Sequence, residues 1–178
     1  MNTEELCASF LQKEHSLIPV IVILGQTASG KTAMAIELAK KLNGEVISVD
    51  SRQVYRYMNI GTDKIQEAER DGVPHHLFDV VNPDERFTVV DFLQHAEKAI
   101  TEIRGRQRVP ILCGGTGLYL RALLENYLIP ETGDQNKIRE KFERELAVKG
   151  KEWLYEELKK VDPEGAKSVH PNAFVYVL

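Results

Sequence analysis

The stretch that decides the fold is Val20-Ile21-Val22-Ile23-Leu24-Gly25-Gln26-Thr27-Ala28-Ser29-Gly30-Lys31-Thr32. Its first five residues are all apolar, which predicts a parallel strand buried on both faces. Residues 32–42 carry apolar side chains at helical spacing and predict a helix. The eight residues that join them, 25–32, match the motif G-x-x-x-x-G-K-[ST] in the strand-to-helix setting that this motif requires. We call residues 25–32 the G-K-T loop.

The G-K-T loop has the features of a polyphosphate site. Its two glycines let the backbone curl so that successive N–H groups point at an anion, and the helix that follows adds the positive end of its dipole. The lysine supplies a mobile cation and the final threonine a hydroxyl ligand for Mg²⁺. The alternative is a glycine-rich turn with an incidental lysine, but four fixed positions rarely match by chance between a strand and a helix. We therefore predict a phosphate-binding segment: Gly25, Gln26, Thr27, Ala28, Ser29, Gly30, Lys31 and Thr32.

Length and composition predict a globular domain, alone or with a small appendage. The chain has 178 residues, of which 43 % are hydrophobic and 28 % charged, as is usual for soluble proteins. No apolar run approaches the roughly 18 residues of a membrane span, and the first residues lack the apolar stretch of a secretory signal. We expect a cytoplasmic protein with no membrane partner. The net charge of −4 argues mildly against a dedicated nucleic-acid binder.

Alternating strand and helix patterns over residues 20–127 predict a parallel sheet covered on both faces. After Pro130 the pattern changes to charged amphipathic helices, predicted at residues 135–149 and 151–161. We therefore divide the chain into an N-terminal extension (1–18), an α/β core (19–130) and a helical attachment (131–178). Within the core, further strands are predicted at residues 45–49, 76–81 and 110–113. Thr88 is predicted to cap a helix, with Asp91 three residues on in the position of a capping box. The buried face of that helix is predicted to consist of Phe92, Ala96, Ala99, Ile100 and Ile103.

Polar or glycine-rich segments follow two of these strands. Asp50 and Ser51 come directly after the second strand, and Gly114-Gly115-Thr116-Gly117 follows the fourth. Ligands of open parallel sheets bind beyond the carboxyl ends of the strands. Asp50 is a candidate to hold Mg²⁺ through water or to act as a general base; the alternative is a capping aspartate. The Gly-Gly-Thr segment either leaves room for a substrate or is a simple strand-to-helix turn.

For the histidines and arginines outside these segments, we expect structural rather than catalytic roles. His75 and His76 suggest a metal or acid–base role, but loop histidines satisfied by neighbouring backbone are commoner. Arg104, Arg106 and Arg108 form a local basic cluster that weakens the argument against nucleic-acid binding, and the favoured interpretation is a solvated basic edge. The two cysteines are far apart in sequence, which favours one buried and one surface thiol over a disulfide.

Three tyrosines near the strand ends, Tyr55, Tyr57 and Tyr119, are candidates to wall an apolar pocket or to stack on a base, although such residues are more often core. The residues alone leave two function classes open. One is a small-molecule kinase, in which Asp50 activates a hydroxyl against a γ-phosphate. The other uses the same loop for a pyrophosphate that departs as a leaving group.

Seven sequence blocks, in order, resemble those of the tRNA dimethylallyltransferase family: residues 25–32 (G-P-T-A-x-G-K-T), 50–55 (D-S-x-Q-x-Y), 61–64 (G-T-x-K), 73–77 (P-H-H-L), 87–92 (S-x-x-D-F), 114–119 (G-G-T-G-L-Y) and 162–172 (D-P-x-x-A…H-P-N). Each block alone is a weak signal, whereas seven in the family's order are specific. The resemblance implies an α/β fold: a P-loop NTPase-like parallel sheet with flanking helices, plus a partial helical tRNA-binding attachment.

The resemblance further implies transfer of a dimethylallyl group from dimethylallyl diphosphate to the exocyclic amine of the adenosine 3′ of a tRNA anticodon. In that chemistry the G-K-T loop binds the diphosphate, Thr32 holds the cofactor Mg²⁺, and Lys31 and Thr32 act in catalysis beside Asp50 as the base. The partners are the anticodon stem-loop of tRNA and dimethylallyl diphosphate, and the enzyme is expected to be a monomer. The implied tRNA contacts are Asp50, Ser51, Arg52, Gln53, Thr116 and Arg139.

Two departures from the family pattern stand out. Gln26 occupies a position that is usually proline, which we expect to affect only the stiffness of the loop. After Asn172 the family continues with a basic helix and further structure that residues 173–178 do not match. The resemblance therefore implies a C-terminally truncated member, and an inactive nucleotide-binding fragment is kept as an alternative beside the kinase.

Overall fold

The computed structural model describes residues 3–11, 17–125 and 135–173. They belong to two compact units, Met1–Ile129 and Pro130–Leu178. Each unit is described by itself below.

The first unit is built on a parallel sheet with the order β1-β4-β2-β3. All of its strand pairs are parallel, as the alternating pattern predicted. The register places Leu24, Val49 and Gly114 in one row, so three strands end side by side. The strands are β1 (Ile21–Leu24), β2 (Gly44–Val49), β3 (His75–His76) and β4 (Val109–Gly114).

Helices cover the sheet, and the longest begins where its sequence predicts. Thr88 accepts a hydrogen bond from the backbone of Asp91, and Asp91 accepts one from the backbone of Thr88, a capping box that starts α3. The buried face of α3 consists of the five residues predicted for it: Phe92, Ala96, Ala99, Ile100 and Ile103. The helices of this unit are α1 (Thr3–Leu11), α2 (Lys31–Leu42), α3 (Val89–Gly105) and α4 (Gly117–Leu124), with a 3₁₀ turn at Glu67–Glu69.

The two faces of the sheet carry separate hydrophobic clusters. Successive strand residues point to opposite faces, so Ile47 and Val49 of β2 pack with α3 and α4. Val46, one position along, packs instead with Ala35 and Leu38 of α2. The central strands are therefore buried on both faces, which accounts for their largely apolar sequence.

Two predicted strands differ from the observed ones. β1 lies at an edge of the four-stranded sheet, and its side chains alternate in exposure, with Val22 37 % and Leu24 56 % exposed. The prediction that this strand is buried on both faces is therefore wrong. The third strand stops at His76 because Leu77 (φ 65°) and Asp79 (φ 56°) adopt left-handed backbone conformations that do not continue a strand.

The second unit contains the two helices predicted after Pro130, with the predicted bounds. Phe142 stacks on Trp153 with ring centroids 6.0 Å apart and joins the first helix to the second. The Tyr155 hydroxyl donates to the Ala166 carbonyl at 2.9 Å and fixes the short helix that follows. The elements are α5 (Gln135–Lys149), α6 (Lys151–Val161) and α7 (Pro163–Ala166). Across the described residues of both units, no helix combines the length and apolar character needed to cross a bilayer.

A buried carboxylate organises the arginines that were predicted to be a solvated edge. Glu45 of β2 is 2 % exposed. Its two oxygens accept hydrogen bonds from Arg106 (2.8 and 3.0 Å) and Arg108 (3.2 Å), and His76 Nε2 lies 2.6 Å from Oε2. Arg104 donates instead to the Ile18 carbonyl at 2.7 Å. Arg106 and Arg108 thus pair with a buried carboxylate while their side chains stay 45 % and 38 % exposed, so the basic edge is solvated, as predicted, and is also anchored to Glu45.

Because of the Glu45 network, we expect the free energy of unfolding to fall at acidic pH. Burial raises the pKa of Glu45, but hydrogen bonds from Arg106 and His76 outweigh it and hold the pKa at about 2, below the ordinary 4.5. Because the folded-state pKa is lowered, the stabilisation is present above pH 4.5 and is lost as the pH falls toward 2. Between pH 6 and pH 3, we expect the wild type to lose about 2 kcal/mol more free energy of unfolding than Glu45→Gln does. Urea denaturation at both pH values measures this difference, and equal losses in the two proteins would contradict it.

Candidate active site

The ends of β1, β2 and β4 lie side by side, and Gly114 allows the backbone of β4 to come very close to that of β2. A Cβ on Gly114 would lie 2.1 Å from the carbonyl oxygen of Val49, so no other residue fits between these strands. One residue further on, a Cβ on Gly115 would lie 3.4 Å from the carbonyl oxygen of Gly25. The exit of β4 therefore faces the start of the G-K-T loop on one side and the exit of β2 on the other.

Thr116 joins the exits of β4 and β2 directly. Its backbone N–H donates to the Val49 carbonyl at 3.1 Å, and its hydroxyl oxygen accepts from the backbone N–H of Ser51 at 3.0 Å. The hydroxyl proton is left to donate to another group. The Gly-Gly-Thr segment is thus bonded to the Asp50–Ser51 segment, which goes beyond the simple turn weighed as its alternative.

Asp50 has the capping role that its sequence position allowed. Its Oδ1 accepts from the backbone N–H groups of Arg52 (2.8 Å) and Gln53 (3.3 Å), which fixes the turn after β2 and the direction of the carboxylate. Oδ2 accepts no hydrogen bond from the residues that the structure describes. The arrangement leaves one oxygen oriented and available to take a proton, so capping and general-base roles are compatible.

The G-K-T loop adopts the curled backbone that its motif predicts. Ala28 (φ 60°) and Gly30 (φ 81°) are both left-handed, and Gly30 leads into α2, which starts at Lys31. The Lys31 ammonium donates to the carbonyl oxygen of Gln26 within the same loop. N–H groups in the first turn of a helix have no intrahelical partners, so the loop presents donors and a cation at one place.

Two residues hold the loop after Asp50 in place: Gln53, which the resemblance implied as a tRNA contact, and Lys64, which sequence reasoning did not single out. The Gln53 side chain accepts from the Ser48 hydroxyl at 2.9 Å and donates to the Thr62 carbonyl at 3.0 Å. Lys64 is 5 % exposed, and its ammonium donates to the Tyr55 carbonyl (2.6 Å) and to Asp79 Oδ1 (2.8 Å). Lys64 belongs to the G-T-x-K block, and that block is the sequence signal that could have drawn attention to it. A buried lysine needs oxygen atoms around it, and here Tyr55 and Asp79 provide them.

Two other candidates are structural. Burial raises the pKa of the Cys113 thiol to about 11, which the nearby Lys31 ammonium only partly offsets, so this thiol remains protonated. His75 Nδ1 lies 2.8 Å from the Val73 carbonyl, and burial lowers the pKa of the imidazole. Among the described residues, no group of three or more His, Cys, Asp or Glu side chains is placed to hold a metal ion. The favoured interpretation of the histidines fits His75 at Nδ1, while its buried Nε2 has no hydrogen-bond partner among the described residues, and His76 pairs with Glu45.

The remaining predicted tRNA contacts lie in different units. Arg52 is exposed in the turn after β2, beside Asp50. Arg139 belongs to α5 of the second unit, where its guanidinium donates to Glu143 at 3.0 Å. The tyrosines also separate: Tyr119 is core, stacked on Phe92 with centroids 4.4 Å apart, whereas Tyr57 is 82 % exposed.

Comparison with known proteins identifies the family. The model described as "IPP transferase" matches residues 53–176, and the model described as "Isopentenyl transferase" matches residues 18–79. The chain belongs to the IPP transferase family. The predicted family is thereby confirmed.

Curated members of the IPP transferase family are similar over most of this chain. The chain is 46 % identical over 153 residues to a tRNA dimethylallyltransferase of Halothermothrix orenii, covering 86 % of this chain and 47 % of that one. It is 49 % identical over 153 residues to the enzyme of the same name from Oceanobacillus iheyensis, covering 86 % and 49 %. The chain thus spans about half the length of the curated relatives it matches.

Solved structures of IPP transferase family members share the fold. A full-length tRNA isopentenylpyrophosphate transferase from Bacillus halodurans is 46 % identical, with a TM-score of 0.62 over 89 % of this chain and 52 % of that one. A eukaryotic dimethylallyltransferase, solved while acting on tRNA, is 35 % identical, with a TM-score of 0.73 over 89 % and 39 %. The predicted fold class, a P-loop NTPase-like parallel sheet with flanking helices, is confirmed.

Proposed function

We propose that this chain carries the diphosphate site and the catalytic base of a tRNA dimethylallyltransferase. The observation that supports this most is the meeting of three strand ends, which brings the G-K-T loop, Asp50 and Thr116 to one edge of the sheet. The reaction breaks the bond between C1 of the dimethylallyl group and the diphosphate oxygen, and it forms a bond from C1 to the exocyclic nitrogen of adenosine. We place the enzyme in the cytoplasm as a monomer.

The G-K-T loop binds the diphosphate and stabilises it as a leaving group. An allylic C–O bond ionises readily when the departing oxygen is stabilised, and preorganised donors aimed at developing negative charge are the most effective means of doing so. Lys31 exchanges its bond to the Gln26 carbonyl for a phosphate oxygen. The backbone N–H groups of the loop and of the first turn of α2 complete the set of donors.

The residues of the loop also fit a magnesium ion. Mg²⁺ in phosphate sites is held by one or two protein oxygens together with phosphate oxygens and water, and Thr32 offers an exposed hydroxyl at the start of α2. Thr32 would therefore hold a bound Mg²⁺ through its hydroxyl, with phosphate oxygens and water as the other ligands. The ion supplies charge neutralisation of the leaving group.

Asp50 takes the proton that the attacking amine loses. The turn bonds to Oδ1 orient the carboxylate and leave Oδ2 for the proton. The adenosine must leave its stack to be reached, and Thr116, Ser51, Arg52 and Gln53 are proposed as its contacts. Arg139 of the second unit is proposed as a contact to the tRNA backbone, which positions the substrate without reading its sequence.

Mass spectrometry of an anticodon stem-loop tests this function. We expect the stem-loop to gain the mass of one dimethylallyl group when incubated with protein, Mg²⁺ and dimethylallyl diphosphate. The assay is run with this chain and with a version extended to the length of its relatives. The absence of a mass gain with both proteins, together with ATP turnover on a small acceptor, would favour the kinase instead. Diphosphate binding without transfer by either protein would favour the inactive nucleotide-binding fragment.

A further inference from the structure

Next to the proposed active site lies an exposed apolar surface around Tyr57, one of the tyrosines predicted from the sequence to wall a pocket or to stack on a base. Tyr57 is 82 % exposed, Ile60 98 % and Met58 37 %. With Arg52 they line a depression of about 420 Å³. We call Tyr57, Met58 and Ile60 the Tyr57 shelf. A group of large, exposed apolar side chains in one loop often marks a surface that binds another molecule.

Hydrogen bonds fix the backbone of the loop that carries the Tyr57 shelf. The backbone N–H of Lys64 donates to the Asn59 carbonyl at 3.2 Å, and that of Asp63 donates to the Ile60 carbonyl at 3.3 Å. The buried Lys64 ammonium and the Gln53 amide anchor both ends of the segment to Tyr55 and Thr62. The exposed side chains are therefore presented by a fixed backbone, at a cost that includes the left-handed φ of 65° at Tyr57.

The shelf is continuous with the proposed tRNA contacts. Arg52, which lines the depression, donates its backbone N–H to Asp50 at 2.8 Å. A ligand on the shelf is therefore a near neighbour of the group that Asp50 deprotonates. An exposed aromatic ring, apolar side chains and a guanidinium are the combination on which unstacked nucleobases bind.

We infer that the Tyr57 shelf stacks a nucleobase of the tRNA anticodon loop adjacent to the target adenosine. This inference rests on the proposed function and deepens it. Extrusion of the adenosine leaves a neighbouring base without its stacking partner, and the Tyr57 ring replaces that partner. Stacking of this kind accepts any base, so the shelf adds affinity and position rather than sequence selection.

The alternative ligand for the shelf is the dimethylallyl chain, and the geometry disfavours it. A small apolar group gains most in an enclosed pocket that buries nearly all of its surface. Ile60 at 98 % exposure encloses nothing, and the charged residue Arg52 lines the same depression. A flat base with polar edges suits this surface better than a five-carbon chain.

Photocrosslinking tests the contact independently of transfer. The probe is a 17-nucleotide anticodon stem-loop with 5-iodouridine on either side of the target adenosine, irradiated with the whole chain. Trypsin cleaves after Arg56 and Lys64, so a crosslink to Tyr57 appears on the peptide of residues 57–64. We expect the crosslink on that peptide, and its absence there, with crosslinks elsewhere or none at all, would overturn the inference.

A second, independent test measures the affinity for the labelled stem-loop by fluorescence anisotropy. We expect Tyr57→Ala to weaken binding of the labelled stem-loop about fivefold or more, whereas Tyr57→Phe, which keeps the ring, stays within twofold. Leu17→Ala, at an exposed apolar residue before β1, is the matched control and is expected to bind as the wild type does. Binding of dimethylallyl diphosphate should be unchanged in all three variants.

These outcomes separate the inference from the proposed function. If Tyr57→Ala and the wild type bind the stem-loop with equal affinity, the inferred role of the Tyr57 shelf is overturned, whatever the mass assay shows. Weaker binding of dimethylallyl diphosphate by Tyr57→Ala would assign the shelf to the prenyl chain and overturn the inference as well. A failed mass assay beside a Tyr57 crosslink would instead contradict the proposed transfer and leave the RNA contact standing.

Discussion

Replacement of Asp50 by alanine is expected to lower the rate of dimethylallyl transfer about 10²- to 10⁴-fold, the usual contribution of a positioned general base. The amine of adenosine is a weak nucleophile that must lose a proton as the new bond forms, and Oδ2 of Asp50 is the oriented oxygen that accepts it. Binding of dimethylallyl diphosphate should remain within about twofold of wild type, because the G-K-T loop is untouched. Single-turnover mass gain of the stem-loop measures the rate, and calorimetric titration measures the binding.

Asp50→Asn is the matched control for this experiment. The asparagine carbonyl oxygen still accepts from the Arg52 and Gln53 backbone, so the turn survives, while the ability to take a proton is lost. We expect Asp50→Asn to unfold at the wild-type urea concentration and to be as slow as Asp50→Ala in transfer. Loss of diphosphate binding equal to the loss of transfer would show that Asp50 is a magnesium or structural residue instead.

Replacement of Gly114 by alanine is expected to destabilise the first unit by about 3 kcal/mol or more. The new Cβ would lie 2.1 Å from the Val49 carbonyl oxygen, and backbone atoms of two central strands cannot move apart without breaking the sheet. The effect should appear as a lower urea midpoint and as loss of diphosphate binding. A small total stability, typically 5–15 kcal/mol for a domain, makes a change of this size easy to detect.

Gly117→Ala provides the comparison for Gly114→Ala. Gly117 is the first residue of α4, and a Cβ there meets nothing within 4 Å. Because alanine favours the helical state by up to about 1 kcal/mol relative to glycine, we expect Gly117→Ala to be as stable as wild type or slightly more so. Equal destabilisation by both substitutions would refute the steric explanation for Gly114.

Local sequence signals predicted much of this fold correctly. The capping box at Thr88 and Asp91 fixed the start of α3, and the spacing from Phe92 to Ile103 gave its buried face. Charged, strongly periodic segments gave α5 and α6 with their observed bounds. The strand-to-helix setting of the G-K-T loop gave its curled backbone. In each case the determining interactions lie within a few residues of one another.

Features that depend on contacts distant in sequence were not predictable. Ile21 and Ile23 pack against one cluster while Val22 and Leu24 on the opposite face are exposed, so one face of β1 is uncovered among the described residues, which an apolar run does not encode. Glu45 looked like any charged residue in a strand, and only pairing with side chains about 60 positions away reveals it as the centre of an ion network. The backbone contact between Gly114 and Val49 has the same origin. The site residues came from motifs, but their hydrogen bonds required the fold.

The hydrogen bond from the Ser51 backbone to the Thr116 hydroxyl joins positions 65 residues apart. Contacts of such separation form late, because the intervening chain must first be ordered. During synthesis on the ribosome, the G-K-T loop and Asp50 emerge well before Thr116 does. The candidate active site therefore stays unassembled until β4 has docked beside β2.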